Sequence, residues 1–307
     1  MTKDSELRLP PRAVAESNVT HDLLWAALLA PSASQAARTA LLDTASLISR
    51  NGWVPASAVR DADGCLESTA LFIVLAERCT TSNRFILDEI VPDRGSAQLC
   101  LLLRATASAF VGFALTARGF KPLAEPYLSR KNGRCPPEMY ALILAALGAV
   151  QRLITHDPTD AATHQAYPAI DLVARAEQRV EEALLRSLAY SAPSAVTAAH
   201  LVFFVDSSVL PEEHQREVPR TLRTAALAPR LFADMNGSLW PFELEVAARA
   251  CDIIGLQTEA TRLRTHLTRE IPSDSPGWIS LDGSSNQGPY ILTAGAVTAA
   301  RHRLKPE

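Results

Sequence analysis

Glycine is scarce in this chain, with 13 residues in 307, about 4% against a usual share near 7%. Hairpin turns favour glycine, so a sheet-rich fold is disfavoured from the outset. Aromatic residues are few as well, at 6%. There is no Cys-x-x-Cys pair, and none of Cys65, Cys79, Cys100, Cys135 and Cys251 stands at metal-ligand spacing from a histidine. No metal is therefore expected. Five scattered thiols in largely apolar stretches fit a reduced, cytoplasmic setting. Neither sign of charge dominates, since 30 Lys+Arg against 33 Asp+Glu leave a net charge of −3. Without a basic stripe, nucleic acid is a poor partner. No uncharged apolar run reaches the ~20 residues of a membrane-spanning helix. The longest, Ala105 to Ala117 and Met139 to Val150, read as buried helices, and no membrane partner is expected. Also missing are the dinucleotide and phosphate-loop glycine motifs, H-E-x-x-H and G-x-S-x-G. No cofactor is expected in consequence.

What is present is proline and helical periodicity. Proline reaches 20 residues, about 6.5% against a usual 5%, and it falls where helices begin and end. Residues 1–17 mix acids, bases and two prolines without an apolar core. They predict a flexible N-terminal segment and no signal peptide. Helices are then predicted over His21–Leu29, Ser34–Arg50 closed by Asn51-Gly52, Glu67–Glu77, Ser96–Arg118 and Pro136–Ile154. A further one runs from Pro168 to about Tyr190, and another from Pro193-Ser194 to Val205. A short helical stretch is bracketed by Pro211 and Pro219. The last three are Trp240–Ile254, Thr258–Glu270 and Tyr290–Arg301. Strand signals are almost absent, which predicts an all-α fold.

Apolar helices introduced by a turn residue begin near Asn18, Gly64, Pro136, Pro193, Ser238 and Asn286. Three of the five gaps match a helical-hairpin repeat of roughly 40–47 residues. The predicted architecture is one domain over 18–304, built of helical hairpins in a compact bundle or an α/α toroid-like ring.

Five places combine chemistry-bearing side chains with this pattern. In the segment from Val196 to Asp206, His200 shares a stripe with Val196, Phe203 and Phe204. An imidazole there can serve as a general base, Phe204 can wall a ligand, and Asp206 can meet a cation at a cavity mouth. In the stretch Asn236 to Glu245, Trp240 lies on the apolar face one turn before Leu244, Glu243 borders that face and Glu245 points further away. Burial of Glu243 would suit it to acid–base work. Asp61-Ala62-Asp63-Gly64 carries two acids before a helix, a partial likeness to the proton-donating motif of toroid terpene cyclases. Asn286 and Tyr290 close a polar loop that starts the last helix, and His21-Asp22 lies in the first turn of the first. If the inner helices ring a cavity, their positive N-termini favour an anionic ligand at that mouth. The candidate catalytic set is His200, Asp206 and Glu243, with Trp240, Phe204, Asn286 and Tyr290 as candidate binding residues.

At Ala199-His200…Phe203-Phe204…Val205-Asp206 and at Trp240-Pro241-Phe242-Glu243-Leu244-Glu245, the chain resembles an uncharacterised family of all-helical actinobacterial proteins. That family carries Thr-His…Phe-Tyr…Thr-Asp over the first stretch, so Ala199 and Val205 stand here in place of threonines. The resemblance implies an accessory or tailoring role in secondary-metabolite or modified-peptide biosynthesis. Two functions follow as expectations. One is a metal-independent enzyme or binder with a small-molecule or peptide cavity between helices. The other is a non-catalytic helical partner that receives a protein or peptide in a groove. Self-association is compatible with either.

Overall fold

The computed structural model describes residues 20–30, 34–55, 64–117, 135–156, 167–189, 192–232, 238–270, 279–280 and 291–304. The fold is all-α. Among these residues the single ladder is a two-residue antiparallel pair, β1 (Ser238–Leu239) with β2 (Ile279–Ser280). The residues predicted as one domain over 18–304 group into two compact units, Asn18–Leu184 and Leu185–Glu307.

The first unit holds α1 (Thr20–Leu29), α2 (Gln35–Leu47), α3 (Leu66–Ser82), a 3-10 turn (Arg84–Asp88), α4 (Leu99–Thr116) and α5 (Pro137–His156). It also takes most of α6 (Ile170–Leu188). The Ser34 hydroxyl caps α2 by accepting the Ala37 N–H at 3.2 Å, satisfying one of the orphan donors every helix start leaves. Fourteen of the seventeen residues of α3 are buried, because its apolar side chains lie on all sides rather than on one stripe. It is the central helix of the unit, packed by α1, α2, α4 and α5.

The second unit holds α7 (Ala195–Phe204), a 3-10 turn (Ser207–Val209), α8 (Glu212–Leu227), a second 3-10 turn (Pro229–Phe232), α9 (Pro241–Ile253), α10 (Gln257–Glu270) and α11 (Ile291–Leu304). Here α9 is central. Eleven of its thirteen residues are buried, and it packs against α7, α8, α10 and α11. Pro241 opens it at the first helical position, where a missing N–H costs nothing, and Gly255 follows its end at φ +76°.

Three local expectations are corrected. The helix predicted over Ser34–Arg50 ends at Leu47, because Arg94 takes the Ser46 and Ile48 carbonyls and so replaces the next turn. Gly52 is not its stop. It sits at φ +81° where a Cβ would come within 2.7 Å of the Ala105 carbonyl oxygen, so glycine is required there by close approach. Pro219 does not end the short stretch after Pro211. Helix α8 runs through it for eight further residues, losing only the bond that Pro219 would have given Gln215. Leu99–Thr116 and Pro137–Thr155, which hold most of the two longest apolar runs, are long and apolar enough to cross a membrane by length and composition, and half of each is buried among its neighbours. Arg104 interrupts the first of them; it is buried and lies 5.7 Å over the Tyr167 ring.

Candidate functional site

Helix α7 is apolar on nearly every side, so its one imidazole has to be carried inward. His200, its sixth residue, is fully buried and meets the equally buried Glu243, the third residue of α9, with Nε2 and Oε2 2.8 Å apart. With the carboxyl ionised, the imidazole N–H donates to it, a charge-assisted bond in a dry setting. Glu243 also lies in the first turn of α9, where a negative charge suits the helix dipole. Phe204 flanks the pair, its ring centroid 5.9 Å from that of His200 and 4.9 Å from that of Phe203. Trp240 is the buried N-cap residue of α9. Four of the residues singled out in sequence are thus placed together: His200, Glu243, Phe204 and Trp240.

Asp206 is not among them. It follows the C-terminal end of α7, six residues past His200, roughly 9 Å along a helix axis at 1.5 Å per residue. It is exposed and caps the turn Ser207–Val209, with Oδ1 accepting the Ser208 N–H at 2.8 Å. Hydrogen bonds from Ser208 hold its carboxyl below the usual carboxylate range. Asn286, Tyr290 and the Asp61-Ala62-Asp63 motif lie outside the described residues. Gly64 is described: it bridges Pro55, and a Cβ there would come within 2.5 Å of Trp53.

The first unit contains a counterpart that sequence reasoning did not single out. Trp25 is the sixth residue of α1, as His200 is of α7. Its indole N–H donates to Glu67 Oε1 at 3.0 Å, and Glu67 is the buried second residue of α3. Helix α3 begins 46 residues after α1 (Thr20 to Leu66), and α9 begins 46 residues after α7 (Ala195 to Pro241). In both units a ring N–H from the first helix is bound by a glutamate in the first turn of the central helix. A tryptophan in an apolar helix reads as core packing, which concealed the bond. Next to it, His21 Nε2 lies 2.8 Å from the buried Asp22 Oδ1.

Glu245 is a correction. It was expected to point away from the buried face, yet it is fully buried, because α9 is enclosed by four helices and has no outer face over its first turns. Its charge is met by Arg249 Nε at 3.0 Å and by Arg264 Nε at 3.2 Å. Arg264 also reaches Asp252 at 2.5 Å, and Arg303 joins Asp252 at 3.3 Å. This network ties α9, α10 and α11. Among the described residues no group of three or more His, Cys, Asp or Glu is arranged to hold a metal.

Among the described residues of the second unit, two concavities flank α8. The larger, about 390 Å³, is lined by Ser194, Glu217, Arg220, Thr221, Thr224 and the half-exposed Leu231, among others. The smaller, about 200 Å³, lies against Val202, Val205, Leu210, Val218 and Ile253, with Asp206 at its wall. Neither is lined by His200 or Glu243. The arrangement therefore offers a sealed acid–base pair on one side and open, mixed apolar and polar grooves on the other. A scan of protein-family models and a search of curated proteins found no match to this chain.

Proposed function

We propose that this chain is a non-catalytic, cytoplasmic binding protein whose second unit receives a segment of a partner polypeptide along α8. The observation that carries this reading is the separation of chemistry from access. The acid–base pair His200–Glu243 has essentially no exposed surface, whereas the hydroxyl-rich and charged groove beside Thr221 and Thr224 is open. General acid–base catalysis needs the base within hydrogen-bond reach of a substrate proton, and a fully buried ring held by Glu243 and flanked by Phe204 does not offer that. A groove beside a helix that ends at the exposed Leu227, with the exposed Leu231 of the following 3-10 turn in its lining, suits helix-in-groove or extended-peptide recognition. The resemblance to proteins of modified-peptide pathways fits a peptide ligand, and five buried free thiols fit a reduced compartment.

The test is selection of a random-peptide library on the full chain, followed by comparison of variants. Enriched peptides are expected to bind at least about tenfold more weakly to Thr224→Trp, which fills the larger groove from an exposed position, a loss of ~1.4 kcal/mol. They are expected to bind a folded His200→Phe chain as they bind the parent. Peptides indifferent to T224W, or lost with H200F at intact fold, would overturn the reading and return the sealed pair to consideration as the working site.

A further inference from the structure

The smaller cavity beside Asp206 has a composition that specifies a ligand. Its walls are aliphatic, from the end of α7 (Val202, Val205), from α8 (Val218, Pro219) and from the end of α9 (Ile253, Ile254). Ile253 is 60% exposed, so an apolar surface continues out of the cavity. Asp206 is the one charged residue lining it among the described residues. At about 200 Å³ the space is below the ~300–1,000 Å³ of sites that enclose drug-sized molecules, and it suits a single side chain. The remaining polar groups are engaged or neutral: Gln215 donates to the Leu210 carbonyl at 2.7 Å, and Ser207 belongs to the turn that Asp206 caps.

We propose that this cavity receives a lysine side chain of the partner polypeptide, with its methylene stem against the valine and isoleucine walls and its ammonium beside Asp206. The assignment rests on the partner-binding reading above and adds the residue that the partner must present. A lysine has the required shape. Its stem packs on apolar surface while its head stays at the wet edge, and the head is a compact charge rather than the broad planar fork of arginine. The charge lining this cavity is thus acidic and selects a cation.

The full chain with isotopically labelled valine and isoleucine methyls is titrated with N-acetyl-lysine methylamide, with the uncharged norleucine analogue and with the glutamate analogue. The lysine probe is expected to shift the Val202, Val205, Ile253 and Ile254 methyls saturably. It is expected to bind about fivefold more tightly than norleucine, the advantage an exposed ion pair supports. Asp206→Asn keeps an oxygen for the Ser208 N–H and so keeps the turn. It is expected to remove the lysine advantage while leaving norleucine unchanged, and Val202→Phe, which fills the cavity from its wall, to abolish both. Equal binding of lysine and norleucine, preference for glutamate, or indifference to D206N overturns the lysine assignment. Absence of methyl shifts with every probe overturns the cavity as a binding site. Neither result touches the partner-binding reading, which stands or falls on the larger groove and T224W.

Discussion

Cys79 shows how a single side chain reports on its surroundings. It is buried in α3, and burial pushes its thiol up to about 12 from an ordinary value near 9. Cys135 and Cys251 are also pushed to about 12, and Cys65 to about 11. The folded state therefore keeps these thiols protonated where the unfolded chain ionises them. Between pH 9 and 12 the unfolded state binds fewer protons than the folded one, so stability falls as pH rises through that window, by up to ~1.4 kcal/mol per pH unit for each thiol. Lysine, tyrosine and arginine titrate in part of the same range, so the comparison that isolates the effect is with Cys79→Ala. That variant is expected to be less stable at pH 8 but to lose stability less steeply above pH 9 in urea denaturation. Parallel slopes would show that the Cys79 thiol ionises equally in both states. The same residues limited what the sequence made legible. Buried apolar cysteines were readable from their neighbours, whereas the bond from Trp25 to Glu67 was not, because nothing in a local pattern distinguishes a packed indole from a donating one.

At the level of elements, helix starts were legible to within one to three residues because caps and prolines act locally: Ser34 before α2, Pro137 in α5, Ser194 before α7 and Pro241 in α9. Ends were less so, since they depend on distant groups such as Arg94 on the α2 carbonyls. The error over Glu245 has the same origin. A one-faced helix is a valid assumption only where one face meets solvent, and α9 is enclosed. Its charge is sustained by Arg249 and Arg264, which come from one turn later and from a separate helix. Replacing Glu245 by alanine leaves two buried guanidinium groups short of a carboxylate, and burial already pulls Arg249 below its usual range. Truncating one partner of a buried ion network costs about 3–5 kcal/mol. Glu245→Ala is expected to lose that much in urea denaturation, and Glu245→Gln, which keeps an acceptor oxygen, less. A loss under about 1 kcal/mol for the alanine variant would mean that Asp252 alone satisfies Arg264 and that the network does not hold α9 to α10.

Across the whole molecule, the sequence rhythm of helix starts near Asn18 and Gly64 and again near Pro193 and Ser238 corresponds to α1 and α3 in one unit and α7 and α9 in the other. What no spacing could show is that the chain forms two compact units, each with its own buried central helix. The candidate site was legible in part for the same reason. His200 and Glu243 were picked out as polar groups on apolar faces, but their mutual bond depends on how α7 packs on α9. Each unit's ring-to-glutamate bond joins its first helix to its central helix, so its loss should be felt inside that unit. Trp25→Phe and His200→Phe each keep a ring and delete the N–H donated to a buried carboxylate. Leaving such a group without that donor costs about 1–3 kcal/mol. Native-state hydrogen exchange resolves where the cost falls, because opening free energies are measured amide by amide. W25F is expected to lower protection of α3 and α5 within Asn18–Leu184, and H200F to lower protection of α9 and α10 within Leu185–Glu307. If either variant lowered protection uniformly in both units, the two central helices would belong to one cooperative core, and the division at Leu184 would describe geometry without energetic meaning.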